Sequence, residues 1–467
     1  MIIELKSIIF IFGLLFILIF EVNAQNQPPV AVNDTVTVLY NTQTYIYVRE
    51  NDSIPGLENI KIDTVFYSGD ANISFNSLRV SYTGATELIR KDSFQYVLRN
   101  TVETIMYDTA WVFINVRQKH YDFLDINNIK AHLGKDGDLF LDKQKNKPGF
   151  EVPAGSNNHS IFSFNPWLVG FVDASLKMNA LRFGGFSSDY PIAGPIMDEQ
   201  WYNEYDEKWD RLWKVNRSDI EYHIDHWADA NYQPIEVIAN WPAHGDTEKG
   251  QAYYLAPFID YNSDGIYNPM DGDYPEMRGD QTIFLIYNFV RPNVLRSQDD
   301  DSPDLDLLLE EISITEVHGL FYAFDCEVDS ALEHTVFANI KVINRTNQTY
   351  TDTYLGLWAD LDVGNSIDDY LECDVNRNSF FAYNGDDLDE SSNSGSGYGT
   401  NLVAQSVTLL KGIKMDDDGV DNDFGIEKNQ SVNGLNFGDG IADNEYWGMS
   451  HFMFEYYTTW PWGVPTV

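Results

Sequence analysis

Basic residues are scarce in this chain: 30 Lys and Arg stand against 72 Asp and Glu, a formal net charge of −42 over 467 residues. Such a field repels nucleic acid and anionic membrane surfaces, so neither is expected as a partner, and it attracts cations. Long apolar runs are also few. The one candidate, residues 8–20, has 13 residues, where a bilayer span needs about 20. No later segment is long and apolar enough to cross a membrane as a helix. The catalytic signatures are missing as well. There is no HExxH, no GxSxG elbow and no phosphate-binding loop, and neither cysteine sits in a nucleophile context. Cysteine itself is limited to Cys326 and Cys373.

Lys6 precedes the apolar run, and Val22-Asn23-Ala24 offers a cleavage site before Gln25. Residues 1–24 therefore read as a signal peptide, and the protein as secreted or displayed at the cell surface. An uncleaved anchor is the alternative. Export makes an oxidising compartment plausible, and an even cysteine count there predicts one disulfide, Cys326 to Cys373. It would close a loop of roughly 45–50 residues. Two buried free thiols are the alternative.

After the leader, "TVTV", "TYIYV", "IKIDTVF", "NISF", "LRVSY", "SFQYVL" and "AWVFINV" follow one another with turn residues between them. Short alternating runs at this spacing predict an antiparallel β-sandwich over residues 25–118. In "TAWVFINV", Trp111, Phe113 and Asn115 share one face, while Ala110, Val112, Ile114 and Val116 line the other. From about His120, aromatics become dense and Gly/Pro turns frequent. The fold class expected is mostly β, with the Ig-like sandwich followed by a larger β-rich region holding calcium loops and few helices. We divide that region into residues 119–298 and 299–467. Residues 296–306 read as an exposed loop and "NGDDLDESSNSGSGYGTN" as a mobile one. One helix is clear, "RSDIEYHIDHWADA", with Ser218 and Glu221 placed as a capping box. The closing "WPWGVPTV" reads as a chain interrupted inside a domain.

The densest chemistry lies in "FIDYNSDGIYNPMDGDYP", residues 258–275. Calcium loops place oxygen ligands at positions 1, 3, 5, 9 and 12, a main-chain carbonyl at 7 and glycine at 6. Asp260, Asn262, Asp264, Asn268 and Asp271 fall at the ligand positions, Ile266 at the carbonyl and Gly265 at the turn. Position 12 is Asp, shorter than the usual Glu. Pro257, Pro269 and Pro275 oppose flanking helices, so the expectation is a calcium loop set among strands. "MDDDGVDNDFG" offers Asp416, Asp418, Asp421 and Asp423, with Lys414 where a first ligand would fall. "NFGDGIADNE" offers Asp439, Asp443 and Glu445. Each is a weaker calcium candidate, open to reading as a solvated loop.

A fourth group, "GLWADLDVGNSIDDYLECD", contains Asp360 and Asp362, two apart on a strand-like run, then Asp368 and Asp369. It is a further candidate for calcium or a plain structural role. As paired carboxylates it could instead serve glycoside cleavage, which keeps a polysaccharide-acting hydrolase or glycan-binding protein as the alternative function. His223, His226 and His244 lack a zinc pattern and read as packed or surface histidines. The 11 Trp and 28 Tyr are mainly packing residues that could also line a sugar platform.

Two resemblances arise from these residues. "PPVAVNDTVTV" with "IYVRENDSIPG" resembles the opening of bacterial Ig-like or cadherin-like domains of secreted adhesins, over about 90 residues. "HSIFSFNPWLVGFVD", "KWDRLWKV", "APFIDYNSDGIYNPMDGDYPEMRGDQ", "LGLWADLDVGNSIDDYLECD" and "FGDGIADNEYWGM" resemble large surface proteins exported by Bacteroidetes through type IX secretion. Members of that group usually end in a C-terminal sorting domain, and none is read here. The resemblance implies a calcium-rich protein of the cell surface or medium and supplies no catalytic residues. The reading is a secreted, calcium-stabilised surface protein with an adhesive or matrix-building role, meeting extracellular protein or glycan surfaces.

Overall fold

The computed structural model describes residues 28–39, 43–52, 60–69, 71–83, 91–100, 105–117, 120–142, 147–180, 191–202, 208–290, 313–391, 396–423 and 433–454. The leader, the stretch 296–306, residues 392–395 of the glycine-rich acidic loop and the closing "WPWGVPTV" lie outside the described residues. The chain forms two compact units, residues 1–119 and 120–467. Among the described residues no helix is long and apolar enough to cross a membrane.

The first unit is an Ig-like β-sandwich. Among the described residues its strands are β1 (Asp34–Leu39), β2 (Gln43–Ile46), β3 (Ile60–Phe66), β4 (Asn72–Phe75), β5 (Val80–Thr83), β6 (Lys91–Asn100) and β7 (Tyr107–Arg117). One sheet runs β1-β7-β6-β3 and the other β2-β5-β4. Pairing is antiparallel except between β1 and β7, which run parallel from Asp34↔Val112 to Leu39↔Arg117. Alternation sets the faces: Ala110, Val112, Ile114 and Val116 are buried, while Trp111 and Phe113 are 43% and 47% exposed. The inward residues join Val38, Ile62, Val80, Phe94, Tyr96 and Leu98 in one core. Each fully buried aliphatic or aromatic side chain contributes about 1.5–3 kcal/mol. Tyr96 is anchored at its polar end, its hydroxyl meeting Asp52 Oδ1 and the Val48 carbonyl at 3.1 Å each.

The principal strands of the second unit are β8 (Tyr121–Leu124), β9 (Lys130–Gly134), β10 (Ser163–Val172), β11 (Trp213–Asn216), β12 (Gln281–Asn288), β13 (Thr315–Ala323), β14 (Phe337–Asn344), β15 (Tyr350–Asp360), β16 (Asp369–Asp374), β17 (Ser379–Asn384) and β18 (Ala404–Thr408). β12 is central: it pairs with β11 and β13, and β13 with β14, all antiparallel. Every residue of β12 is buried. Ile283, Leu285 and Tyr287 face a core with Leu133, Phe164 and Phe321, whereas Phe284 and Ile286 face a second core with Trp213, Trp241 and Leu320. β10 pairs with β15 from Ser163↔Asp360 to Val172↔Tyr350, and β16-β17-β18 form a separate sheet.

The expected helix is present as α1 (Arg217–His226), but its start differs. Asn216, not Ser218, is the N-cap. Asp219 Oδ2 accepts from the Asn216 backbone N–H at 3.1 Å and from its Nδ2 at 2.9 Å. β11 runs to Asn216, so the strand end decides which of two overlapping capping patterns is used.

The expected disulfide is not formed: Cys326 and Cys373 are both free thiols. Cys373 lies on β16 opposite Phe380. Cys326 lies in the turn beyond β13, where its N–H donates to Glu333 Oε1 at 2.9 Å and its carbonyl accepts from Asp329. Cys326 lies outside any strand while Cys373 sits within a sheet, and a disulfide requires close, facing Cβ atoms that an even count does not supply.

Candidate metal centres

The 258–275 loop is closed at its base by two short strands, Phe258–Ile259 and Tyr274–Pro275, paired antiparallel. No helix flanks it directly. Inside, carboxylates organise the main chain. Asp260 Oδ1 accepts from Asp264 N–H at 3.2 Å and Oδ2 from Gly265 N–H at 2.7 Å. Asn262 Oδ1 accepts from Asp264 N–H at 3.0 Å and Asp264 Oδ1 from Ile266 N–H at 2.8 Å. Gly265 has φ +77°, a left-handed position that favours glycine. Each carboxylate oxygen carries two acceptor sites, so Asp260 holds the turn and keeps one site per oxygen.

The position-12 residue behaves differently. Asp271 Oδ2 accepts from Asn268 Nδ2 at 2.6 Å. It is Asp273, absent from the candidate set, that is fully buried. Its Oδ1 accepts from Tyr261 N–H and its Oδ2 from Asn268 N–H, both at 2.8 Å. The second acidic residue of "MDGDYP", just ahead of the paired Tyr274 and Pro275, is the signal that marks it. Two histidines brace this loop. His223, wholly buried, places Nε2 3.0 Å from the Asp273 carbonyl. His244 Nε2 accepts from Tyr267 N–H at 2.9 Å. Burial lowers the pKa of both rings. His226 is half-buried and stacks on Tyr222.

Residues 414–423 and 433–447 form a second acidic construction from two loops. Lys414 and Leu435 both bridge to Tyr446, and Met415 N–H donates to the Glu445 carbonyl at 3.0 Å. Asp443 Oδ1 accepts from Gly419 N–H at 2.8 Å and Glu445 Oε1 from Asn422 N–H at 2.8 Å. In return Asp421 takes Gly438 N–H at 2.9 Å and Gly440 N–H at 2.7 Å. Ligand atoms of Asp416, Asp418 and Asp443 lie within 4.8 Å of one another; among the described residues no other trio of acidic, His or Cys side chains does so. Burial, then Asp418, Asp443 and Glu445, raise the Asp416 pKa. Lys414 turns its Nζ to Asp417 at 2.9 Å. Asp439 accepts from Ile441 N–H and from Asn444 Nδ2.

The fourth group sits where β15 ends. Asp360 is its last residue and Asp362 lies beyond it. Burial raises the pKa of Asp360 to about 6 and, with help from neighbouring carboxylates, those of Asp362 and Asp369 to about 7. Val363 N–H donates to Asp369 Oδ2 at 2.8 Å. Asp389, missed by sequence reading, is buried and accepts from Asn365 N–H at 3.1 Å and Tyr398 N–H at 2.7 Å.

These features define an acidic, mostly β protein with an Ig-like amino-terminal unit and loops ordered by carboxylates. No family model matches the chain, and no curated protein matches it. Among solved structures, a nucleoside hydrolase-related hypothetical protein from Saccharophagus degradans, associated with carbohydrate metabolism, aligns over 20% of this chain and 26% of its own, at 18% identity and TM-score 0.17. Human CDH23 EC21-23 aligns over 33% of this chain and 62% of its own, at 11% identity and TM-score 0.15. The chain thus spans less than two thirds of either, and likenesses this slight carry no argument.

Proposed function

We propose that the chain is an exported, calcium-stabilised protein of the cell surface or its surroundings, with an adhesive or matrix-building role. The observation that carries the reading is the 258–275 loop, where Asp260 clamps two successive N–H groups and leaves acceptor capacity on an all-oxygen set. Asp260, Asn262, Asp264 and the Ile266 carbonyl would hold a hard dication, which would relieve their repulsion and fix the loop. The outer face of the first unit, with Trp111 and Phe113 stacked at 6.5 Å, suits contact with an extracellular glycan or protein. Calorimetric titration of calcium into the chelator-treated chain tests the loop: Asp264→Ala should lose one equivalent, and unchanged stoichiometry rejects it. Retention on immobilised glycans and extracellular proteins, with and without chelator, tests the adhesive part. Absence of calcium-dependent retention on every surface counts against it.

A second reading draws on Asp362 and Asp369, whose near-neutral pKa values suit a general acid in polysaccharide cleavage. Release of reducing ends by the wild type, lost in Asp362→Asn, would favour it.

A further inference from the structure

We infer that residues 414–423 and 433–447 build one divalent-cation site shared by both loops, with Asp416, Asp418, Asp443 and Glu445 as its carboxylate ligands. In sequence these are two separate acidic loops, each of which could hold an ion alone. The fold instead uses two of these carboxylates, Asp421 and Asp439, to order the loops, and brings others of the two loops together. Both oxygens of Asp421 cap the facing loop at Gly438 and Gly440. Those of Asp439 are taken by Ile441 N–H and Asn444 Nδ2. Three carboxylates converge from both sides: Asp416 and Asp418 from the first loop, Asp443 from the second.

Glu445 supplies the independent observation. It is 1% exposed, one oxygen accepts from Asn422 N–H, and Oε2 has no hydrogen-bond partner. It stands two residues after Asp443, and the N–H of Met415, next to Asp416, donates to its carbonyl. A buried carboxylate oxygen without a donor is costly unless a cation meets it. The same condition recurs around it: Asp416 Oδ1, Asn422 Oδ1 and Asn444 Oδ1 are shielded from solvent and unpartnered.

The donors are all oxygen, which selects a hard cation. Ligands on opposite sides of one calcium ion lie about 5 Å apart, given bonds of about 2.3–2.6 Å, whereas magnesium draws them to about 4 Å and keeps its water. Atoms of Asp416, Asp418 and Asp443 all lie within 4.8 Å of one another, near enough for a single ion to touch all three. The ion would staple the two loops, adding to the hydrogen bonds they already exchange. The inference shares with the proposed function only the identity of the ion.

The test is calcium titration of the full chain, comparing wild type, Asp264→Ala, Asp418→Asn, Asp443→Asn and the Asp418→Asn/Asp443→Asn double variant. Asp418 is exposed, so its replacement leaves the folded chain to be measured; circular dichroism in calcium checks each variant. Each single Asn variant should weaken the same one equivalent at least tenfold, and the double should lose that equivalent and no other. Loss of two equivalents in the double rejects a shared ion. Wild-type stoichiometry and affinity in both single variants rejects the site. If Asp264→Ala alone leaves binding unchanged while the Asn variants lose their equivalent, the 258–275 reading fails and this one stands. If the wild type binds no calcium, both fall.

Discussion

Nε2 of His223 lies 3.0 Å from the main-chain oxygen of Asp273, tying a buried ring on α1 to the residue whose carboxylate closes the 258–275 loop. That carboxylate is the loop's internal fastening, because both its oxygens take backbone N–H groups inside the protein. Asp273→Ala would strand two donors and should destabilise by about 2–4 kcal/mol, with or without calcium. Asp264→Ala, in the exposed rim, should cost under about 1 kcal/mol in chelator. Urea unfolding in chelator measures both. Equal losses would contradict the division between an internal fastening and an ion-facing rim.

The carboxylates at the end of β15 predict a pH effect. Burial and neighbouring carboxylates push the Asp362 pKa up to about 7 in the fold against an ordinary 3.8, so the folded chain retains its proton after the unfolded chain has lost it. Between those values the native state binds more protons, and stability falls as pH rises through the window. Asp362→Asn removes the titration. In calcium-free buffer it should be near-neutral at about pH 3.5 and more stable than wild type by on the order of 2 kcal/mol at about pH 8, below the full shift because solvent reaches the cluster. Thermal melts across pH measure the difference. A constant difference would show that Asp362 titrates normally.

Free thiols at Cys326 and Cys373 lead to a plain chemical outcome. Denatured, unreduced protein should react with two equivalents of a thiol reagent, and reductant should leave the melting temperature unchanged. Recovery of no thiol, with a reductant-sensitive melt, would restore the bridge that the cysteine count suggests.

Local pattern made the first unit legible. Its strands are amphipathic, so the alternation from Ala110 to Val116 reveals both the strand and its buried face. β12 reads as a strand from its apolar run, yet that run cannot reveal that Phe284 and Leu285 enter different cores. Pairing between Ser163 and Asp360 is likewise invisible, since nothing local encodes a partner so distant in the chain. The same limit applies to the candidate sites. Ligand spacing within residues 258–275 is readable because a single loop contains it. The meeting of Asp416 and Asp418 with Asp443 depends on Tyr446 bridging to both Lys414 and Leu435, which no spacing rule contains. Asp273 and Asp389 escape sequence reading for another reason: their task is to satisfy main-chain donors, and that leaves only a short Gly-Asp or Asp-Glu context in sequence.

Calcium addition should protect particular places. Both loop systems belong to the second unit, residues 120–467, so an ion bound there acts on that unit's stability. Extracellular sites bind calcium at about 10⁻⁴–10⁻³ M. At about 10 mM calcium each site then contributes about 1.4–2.7 kcal/mol, because stabilisation follows the logarithm of free calcium over the dissociation constant. Two independent sites would add about 3–5 kcal/mol, enough to raise the melting temperature by about 5 °C. Hydrogen exchange locates the effect. Amides of Asp264, Gly265, Gly419 and Asn422 already donate to the proposed ligand carboxylates, so they should slow most when those carboxylates are held by an ion. Amides of β6 and β7 should not change. Uniform protection across both units would point to nonspecific screening of the −42 charge, an effect that sodium chloride at equal ionic strength would reproduce.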